Sequence, residues 1–381
     1  MNVLSLFAGI GVAEAYLQGI GVRVVVANEL IERRAELYEK IYPLGKMICG
    51  DINSRRIYNS ILAESKRHKI DAIIATPPCQ GMSRAAGIPD EGDERNDLII
   101  PVLELVVALK PKYVLLENVK RLLEIKIVHN KNQYSVSDLM NKLLGDSYHI
   151  NVEVINTKNY SVPQSRERVI ILMTRSDIVP VWTFPAKSKN VVTLRDVIGN
   201  LPVVDPFITD VSERELLELF PMYYERKAAA AIISHWHNPP RHIKRQVVAM
   251  LHTPTGKTAF DNVTYYPRKK NGNRISGYKS TYRRLRWDTP ASTVTMDNRK
   301  ISSQNNVHPG RFLGKDIKGD VVYSDPRVLT TYELMRTMSL PEEWPVPDTT
   351  SEPFLRSVIG EGIPPLFMKT IFEVIMRHRI C

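Results

Sequence analysis

The sequence predicts an α/β protein in which a largely parallel sheet is followed by a smaller, irregular region. Up to about residue 175, short apolar strands alternate with helical segments, which is typical of parallel strands joined by crossover helices. From about residue 178 to 351 this alternation is lost, and prolines and polar residues become frequent. Helical periodicity then resumes. We therefore predict three parts, residues 1–177, 178–351 and 352–381, with the last packing back onto the first.

The elements of the first part follow one another in a regular order. Strands are predicted over "VLSLF", "VRVVVANE", "DAIIA", "KYVLLENV", "HINVEVIN" and "RVIILMT". Helices are predicted over "VAEAYLQG", "LIERRAELYEKIY", "INSRRIYNSILAESKRH", "RNDLIIPVLELVVAL" and near residues 135–144. In sheets of this kind, ligands bind beyond the carboxyl ends of the strands.

The composition is that of an ordinary globular protein, with 43% hydrophobic and 24% charged residues among 381. No uninterrupted apolar run reaches membrane-spanning length, so no membrane partner is expected. The three cysteines, Cys49, Cys79 and Cys381, are widely spaced and form neither a disulfide framework nor a paired metal motif. We therefore expect a reducing, cytoplasmic setting.

Positive charge is concentrated in one segment. The net charge is +11, and residues 241–286 hold twelve Lys or Arg against a single acid, Asp261. Several tyrosines lie among these cations. A solvated surface normally mixes charges of both signs, so the segment is better explained as a surface for a nucleic-acid backbone.

The first strand leads into a glycine-rich turn, "SLFAGIGVAE". Gly9 and Gly11 allow a ligand to approach the backbone. A dinucleotide fingerprint requires a third glycine where this chain has Glu14, so a nucleoside without a pyrophosphate fits better. Glu29, at the end of the second strand, is suited to binding ribose hydroxyls. Asp51 could reach an adenine ring.

The stretch "DAIIATPPCQGMS" raises the question of why a rare cysteine follows two prolines. Pro77 and Pro78 stop the strand, which places Cys79 at the carboxyl edge of the sheet. A lone cysteine is usually a small buried hydrophobic residue, but the polar residues that follow favour a nucleophile. Glu117 ends a neighbouring strand and would share the cleft, or it could cap the next helix. Arg166 and Arg168 would make the cleft electropositive.

These motifs together resemble those of the cytosine-C5 DNA methyltransferases of bacterial restriction–modification systems. "FAGIG", "NE", "GDI", "PPCQ", "ENV", "QSRER", "RRLRWDTPASTVT" and "GEGIPP" occur in the family's order, from Phe7 to Pro365. The resemblance implies a Rossmann-like sheet that uses S-adenosylmethionine, a target-recognition domain in the middle region, and double-stranded DNA as the partner.

The resemblance also implies individual roles. Cys79 would be the nucleophile, Glu117 would bind N3 of the target cytosine, and Arg168 its O2, with Arg166 in support. The residues implied at the cofactor are Phe7, Ala8, Gly9, Gly11, Glu29, Asp51, Ile52, Pro78 and Leu98. The residues implied or expected at DNA are Gln80, Ser83, Gln164, Arg241, Lys244, Arg245, Arg268, Lys269, Lys270, Arg284, Arg286 and Thr293.

The implied reaction requires the target cytosine to leave the base stack. The thiolate of Cys79 would then attack C6, and the loop at residues 81–97 would close over the base. The chain departs from the family pattern at Ser5, Val12 and Glu361, all of which lie around the cofactor. "SHWHNPP" contains two histidines without further ligands at metal spacing, so no metal is expected.

Three other functions remain open at this point. The first is methylation of cytosine in tRNA, against which the long basic middle region argues. The second is a catalytically silent DNA-binding homologue, for which the three departures are the support. The third is a nicotinamide oxidoreductase, which would leave Cys79 and Glu117 unexplained. We further expect a monomer in the cytoplasm, bound to the nucleoid when on DNA, with a restriction endonuclease as a functional partner.

Overall fold

A computed structural model describes residues 1–78, 97–269 and 271–377. Its strands are β1 (Asn2–Leu6), β2 (Arg23–Glu29), β3 (Lys46–Cys49), β4 (Ala72–Ala75), β5 (Tyr113–Asn118), β6 (Lys126–His129), β7 (Asn132–Ser135), β8 (Tyr148–Asn156), β9 (Glu167–Arg175), β10 (Phe207–Ile208), β11 (Arg241–His242), β12 (Phe312–Lys315) and β13 (Val321–Tyr323).

Its α-helices are α1 (Glu32–Ile41), α2 (Arg55–Arg67), α3 (Ile99–Leu109), α4 (Val136–Leu144), α5 (Leu194–Ile198), α6 (Glu213–Leu219), α7 (Tyr223–Ile233), α8 (Lys244–Leu251), α9 (Thr331–Thr337), α10 (Glu352–Glu361) and α11 (Pro365–Arg377). Within the described ranges, no helix combines the length and apolar composition needed to traverse a bilayer.

Seven strands form the central sheet in the order β3-β2-β1-β4-β5-β9-β8. The predicted α/β class is confirmed. The first five of these strands are parallel, but β9 pairs antiparallel with both β5 and β8. The expectation of parallel crossovers throughout was therefore wrong at this edge. The chain between β8 and β9 is too short for a crossover, which needs about a dozen residues or more.

The predicted helix over "VAEAYLQG" is also wrong. Two short 3-10 turns, Val12–Glu14 and Gln18–Ile20, occupy this segment. Gly11 and Gly21 flank it in left-handed conformations, with φ of 78° at each. Leu17 packs into a core cluster with α11. Left-handed residues at both ends and this packing leave no continuous α-helix.

The strands alternate between two core layers. Leu4, Ile73 and Val114 face the layer that contains α2, α3 and α4. Val3 and Ile74 face the other layer, which α11 covers with residues such as Phe367. The predicted helical tail is thus present and packs against the sheet. Since α11 seals one face, the ligand site has to lie at the strand ends.

A third core cluster joins distant parts of the chain. It unites Ile10 and Leu37 from the first part with Trp287, Leu334 and Leu355 from later segments. The division at residues 178 and 352 stays a prediction, but buried side chains from both sides of it share one core. The later segments therefore hold a fixed position against the glycine-rich turn.

Candidate active site

A buried carboxylate and a guanidinium meet at the carboxyl edge of the sheet. Glu117, 7% exposed, lies at the end of β5, and Arg168 lies near the start of the antiparallel β9. Arg168 Nε is 2.9 Å from Glu117 Oε1. The antiparallel pairing of β5 and β9 brings the end of one strand to the beginning of the other. The two residues predicted to bind cytosine are therefore neighbours.

The turn that leads to the predicted nucleophile is held from two sides. The buried Asn118 donates from Nδ2 to Pro77 O at 3.0 Å, and its Oδ1 accepts from Val119 N–H at 2.7 Å. Thr76 donates from Oγ1 to Phe7 O at 3.2 Å. Sequence analysis gave Asn118 no role. The neighbouring "ENV" and "PPCQ" motifs were the available signal, because their strands lie side by side.

Part of the predicted site cannot be described. Cys79, Gln80, Ser83 and Lys270 lie outside the described residues, as does the predicted closing loop up to residue 96. Pro78 is half-buried, and Leu98 is half-buried at the start of α3. Their predicted cofactor contacts stay predictions.

The two glycines of the first turn differ in what surrounds them. A Cβ on Gly9 would meet nothing within 4 Å, and its φ is 58°. A Cβ on Gly11 would lie 2.1 Å from Tyr42 Cε2. Gly9 therefore leaves open space for a ligand, whereas the space at Gly11 is filled by Tyr42, which directly follows α1. Phe7 also has a positive φ, 58°, in this tight turn.

The carboxylate of Glu29 is tied to the glycine turn. It accepts hydrogen bonds from Gly9 N–H and Ile31 N–H, both at 2.9 Å. A carboxylate has about four lone-pair positions, so two remain for ribose hydroxyls. The adjacent Leu30 is 61% exposed, which offers apolar surface for an adenine ring beside Glu29. These features fit the nucleoside part of S-adenosylmethionine.

The predicted adenine residues differ in exposure. Asp51 is exposed, and its Oδ1 accepts from Asn53 N–H at 2.9 Å. Ile52 is 2% exposed and belongs to the main core cluster. Ala8 N–H donates to Asn28 O at 3.0 Å, which fixes the first turn to β2.

The expectation that Arg166 makes the cleft electropositive requires a correction. It is 3% exposed, and its guanidinium donates to Val294 O, Gly360 O and Glu361 O at 2.9, 3.3 and 3.1 Å. Arg166 comes just before β9 rather than within it. It therefore ties three chain segments together, and Arg168 is the guanidinium that meets Glu117.

Gln164 also requires a correction, since it was expected at DNA. It is fully buried; its Oε1 accepts from Val294 N–H at 3.1 Å and its Nε2 faces Met338 Sδ. Thr293 donates from Oγ1 to Ser165 O at 2.9 Å. The "PASTVT" segment thus lies along the "QSRER" loop.

The basic segment contains cations of two kinds. Arg284, predicted at DNA, is fully buried and donates to the carbonyl oxygens of Met250, His308 and Asp325. No donor of such a buried group can reach a phosphate, so this prediction was wrong. Lys244 is half-buried and paired with Glu215. The exposed members of the predicted set are Arg241, Arg245, Arg268, Lys269 and Arg286.

Cations of this segment line an open groove of about 590 Å³. Lys279, Arg283 and Arg286 contribute charge, and Tyr278, 70% exposed, contributes an aromatic face. The exposed Asn305 adds an amide. Sequence counting recorded the first three as cations but could not tell which would share a groove.

The two histidines considered for a metal have other surroundings. His237 is buried with Nδ1 at 2.8 Å from Thr330 Oγ1, and His235 packs edge-on against Trp236. Across residues 1–78, 97–269 and 271–377, no group of three His, Cys, Asp or Glu is arranged to hold a metal ion.

Comparison with known proteins agrees with this geometry. A family model described as C-5 cytosine-specific DNA methylase matches residues 1–377. Type II methyltransferase M1.HgaI of Avibacterium volantium is 41% identical over 379 residues, covering 98% of both chains. Type II methyltransferase M.NgoPII of Neisseria gonorrhoeae is 30% identical over 205 residues, covering 53% of this chain and 57% of that one.

Solved structures support the fold. The Entamoeba histolytica methyltransferase EhMeth superposes with a TM-score of 0.58 at 13% identity, covering 100% of this chain and 98% of that chain. The S. pombe Dnmt2 methyltransferase gives 0.54 at 15% identity, covering 100% and 99%. At such identities only the fold is shared. The family match and the full-length relative go further: this chain belongs to the C-5 cytosine-specific DNA methylase family and is a DNA (cytosine-5-)-methyltransferase.

Proposed function

We propose that this enzyme methylates a cytosine flipped out of a short, specific sequence in duplex DNA, through a covalent bond between Cys79 and C6 of the base. The observation that carries the proposal is the buried Glu117–Arg168 pair. It lies at the sheet edge beside the Pro77–Pro78 turn that immediately precedes Cys79.

The proposed roles follow from the chemistry of cytosine. C5 is a poor nucleophile until a thiolate adds to C6, which pushes electrons towards C5. Glu117 would bind N3 and stabilise the charge that develops there, and Arg168 would hold O2. After methylation, loss of the C5 proton expels the thiolate and restores the base. Because Arg168 already holds the Glu117 carboxylate, both groups would be aligned before the base arrives.

The proposed methyl donor is S-adenosylmethionine, which supplies an electrophilic methyl group on sulfur. Glu29 would receive its ribose hydroxyls, and Asp51 and Leu30 would lie at its adenine. The open space above Gly9 accommodates the rest of the molecule against the backbone. The turn would thereby hold the donor beside the cytosine cleft, since Thr76 ties Phe7 to the strand that precedes Cys79.

The proposed DNA contact runs along the groove formed by Tyr278, Lys279, Arg283, Arg286 and Asn305. Its cations would neutralise phosphates, and the amide of Asn305 is able to read a base edge. Gln164 and Arg284 act behind this surface by fixing the segments that carry it. Arg241, Arg245, Arg268 and Lys269 remain exposed candidates for further phosphate contacts.

The proposed setting is a Type II restriction–modification system, as the names of M1.HgaI and M.NgoPII indicate for those proteins. We propose a cytoplasmic monomer whose functional partner is a restriction endonuclease with the same target. Methylation in such a system would protect the host sequence from cleavage.

The test expresses the wild type, Cys79→Ser and Glu117→Gln in a methylation-deficient bacterial host. The 5-methylcytosine content of host DNA and tRNA is then read at base resolution. We expect one short recurring DNA motif to be methylated by the wild type, no methylation by Cys79→Ser, and at least a hundredfold slower methylation by Glu117→Gln. Methylation of tRNA instead of DNA, or persistent activity of Cys79→Ser, would overturn the proposal.

A further inference from the structure

A buried acid lies directly beneath the glycine turn. Glu14 is 4% exposed and ends the short turn that follows Gly11. Its N–H donates to Gly11 O at 3.1 Å. No role in the reaction described above uses this carboxylate. Its place in the loop nevertheless couples it to the backbone that would receive the methyl donor.

Two tyrosines, Tyr38 in α1 and Tyr42 directly after it, connect this acid to the turn. Tyr38, fully buried, donates its hydroxyl to Glu14 Oε2 at 2.5 Å. Tyr42 donates to Gly11 O at 2.7 Å and accepts from Trp344 Nε1 at 3.2 Å. The two tyrosine rings are 5.0 Å apart and fill the space that a side chain at Gly11 would occupy. The turn is therefore supported from below by a hydrogen-bonded layer.

The groups that face Glu14 are neutral. They are Ser5 from β1, Tyr38 from α1 and Tyr42, which directly follows α1. Burial raises the pKa of Glu14 to about 7, although hydrogen bonding from Ser5 and Tyr38 acts in the opposite direction. Burial and the neighbouring Glu14 also hold the pKa of Tyr38 well above its usual range. The carboxyl is therefore poised between its two forms near neutral pH.

We propose that Glu14 is a positioning residue for the methyl donor, which supports the Gly9–Gly11 turn and favours a cationic sulfur over a neutral one. This inference rests on the proposed use of S-adenosylmethionine. That molecule carries a positive sulfonium, whereas its product, S-adenosylhomocysteine, carries a neutral thioether. A buried anion attracts a nearby cation more strongly than an anion in water does. The enzyme would thereby release its spent donor more readily than it releases the fresh one.

The attraction between Glu14 and the sulfonium should also make the affinity for the methyl donor depend on pH. A cationic ligand favours the ionised form of Glu14, so binding would release a proton near pH 7. Affinity for S-adenosylmethionine should therefore rise as the pH increases from 6 to 8, by up to tenfold for each unit by which binding lowers the pKa. Affinity for S-adenosylhomocysteine should change less, because it has no sulfonium.

The test measures dissociation constants of both ligands by calorimetry at pH 6, 7 and 8. It uses the full-length wild type, Glu14→Gln and Tyr42→Phe. Glu14→Gln should lose the extra pH dependence seen with S-adenosylmethionine and should bind the two ligands with more similar affinity. Comparison within each pH removes the contribution of the ligands' own amino groups. Tyr42→Phe should weaken both ligands to the same extent and keep the wild-type pH dependence.

Tyr38→Phe provides a second test that keeps the carboxyl in place. Loss of the hydroxyl donor should raise the pKa of Glu14 and shift the affinity curve for S-adenosylmethionine to higher pH. An unchanged ratio of the two affinities in Glu14→Gln, or an unshifted curve in Tyr38→Phe, would overturn the inference. A wild type that binds neither ligand would contradict the proposed function itself, so the two failures are distinguishable.

Discussion

Arginine side chains of the same segment serve opposite purposes. Arg284 and Arg286 are two positions apart in a basic run, yet the first is fully buried and the second is exposed and paired with Asp288. Arg284 satisfies backbone carbonyls that would otherwise be buried without donors. A buried carbonyl oxygen without a hydrogen-bond donor destabilises the folded state, which explains why an arginine is found there.

We expect Arg284→Met to lower the free energy of unfolding by about 3–5 kcal/mol, because it removes all of the donors from buried carbonyls. Arg286→Met is the matched control, and it should change stability by less than about 0.5 kcal/mol. For DNA affinity, we expect the opposite order, with the larger effect in Arg286→Met. Arg286→Met should reduce the slope of log affinity against log salt by about one, the contribution of one phosphate contact.

Denaturant titrations and fluorescence anisotropy at several salt concentrations provide the measurements. If Arg284→Met were as stable as the wild type and lost DNA affinity instead, the buried position of Arg284 would be contradicted.

A network of buried charges holds the short helix α9. Arg327 bonds Glu333 through both of its terminal nitrogens, at 2.7 and 2.9 Å, and also bonds Asp325 at 2.7 Å. His308 lies 3.6 Å from Glu333 through Nε2. The "VHPGR" segment is therefore anchored in the interior.

This network makes stability depend on pH. Burial lowers the pKa of His308 to about 4 and that of His242 to about 3. Burial acts to raise the pKa of Glu333, but Arg327 and His308 hold it well below its usual range. The unfolded chain thus binds more protons than the folded one at acidic pH. Stability is complete above about pH 6.5 and falls as the pH decreases towards 4.

We expect the free energy of unfolding to fall between pH 6.5 and 4.5 by up to about 1.4 kcal/mol per pH unit for each such histidine. His308→Asn should remove the share of one histidine, since the other buried histidines with a lowered pKa, His242 and His237, retain theirs and the Asn oxygen can accept the Gly310 N–H. His235→Asn, at an exposed position, is the control and should leave it unchanged. Urea titrations at three pH values measure the slope. Equal slopes in the wild type and His308→Asn would refute this account.

The C-terminal helix α10 contacts segments from the first part of the chain and from the middle region. A Cβ on Gly360 would lie 2.1 Å from Thr295 O, so α10 packs directly against the backbone of the "PASTVT" segment. Arg166 donates to carbonyls on both sides of this contact. Glu361, where the family pattern has asparagine, forms an ion pair with Arg34 at 2.8 Å. Direct contacts therefore join α1, the "QSRER" loop and the C-terminal helix α10.

Gly360→Ala should test this contact. Alanine normally stabilises a helix by about 1 kcal/mol relative to glycine, but here the methyl group would collide with backbone atoms that cannot rotate away. We expect a loss of more than about 2 kcal/mol and weakened binding of S-adenosylmethionine. Gly19→Ala, where an added Cβ meets nothing within 4 Å, is the control and should be neutral. Thermal unfolding of the two variants side by side would decide the matter, and a stable Gly360→Ala would argue against the close contact.

Local patterns were sufficient for most of the sheet and for the position of Glu117 at the end of its strand. Strands such as β4 and β5 are predicted by apolar runs that stop at Pro77 and at Glu117. Because the strands are parallel, their carboxyl ends lie at the same edge of the sheet. The predictions for the segment after Gly11 and for the direction of β9 were wrong because both features depend on packing against distant parts of the chain. Leu17 meets α11, and β9 follows β8 through a connection too short for a crossover.

By itself, the sequence determined the fold class, through local periodicity, and the family, through the resemblance of its ordered motifs to those of the cytosine-C5 methyltransferases. Only the tertiary structure decided which arginine serves which purpose. Arg168 meets Glu117, Arg166 and Arg284 bind carbonyls, and Arg286 faces solvent. The physical reason is burial: a guanidinium at the surface can reach a phosphate, whereas one in the interior binds backbone oxygen, and burial is set by residues far away in the chain.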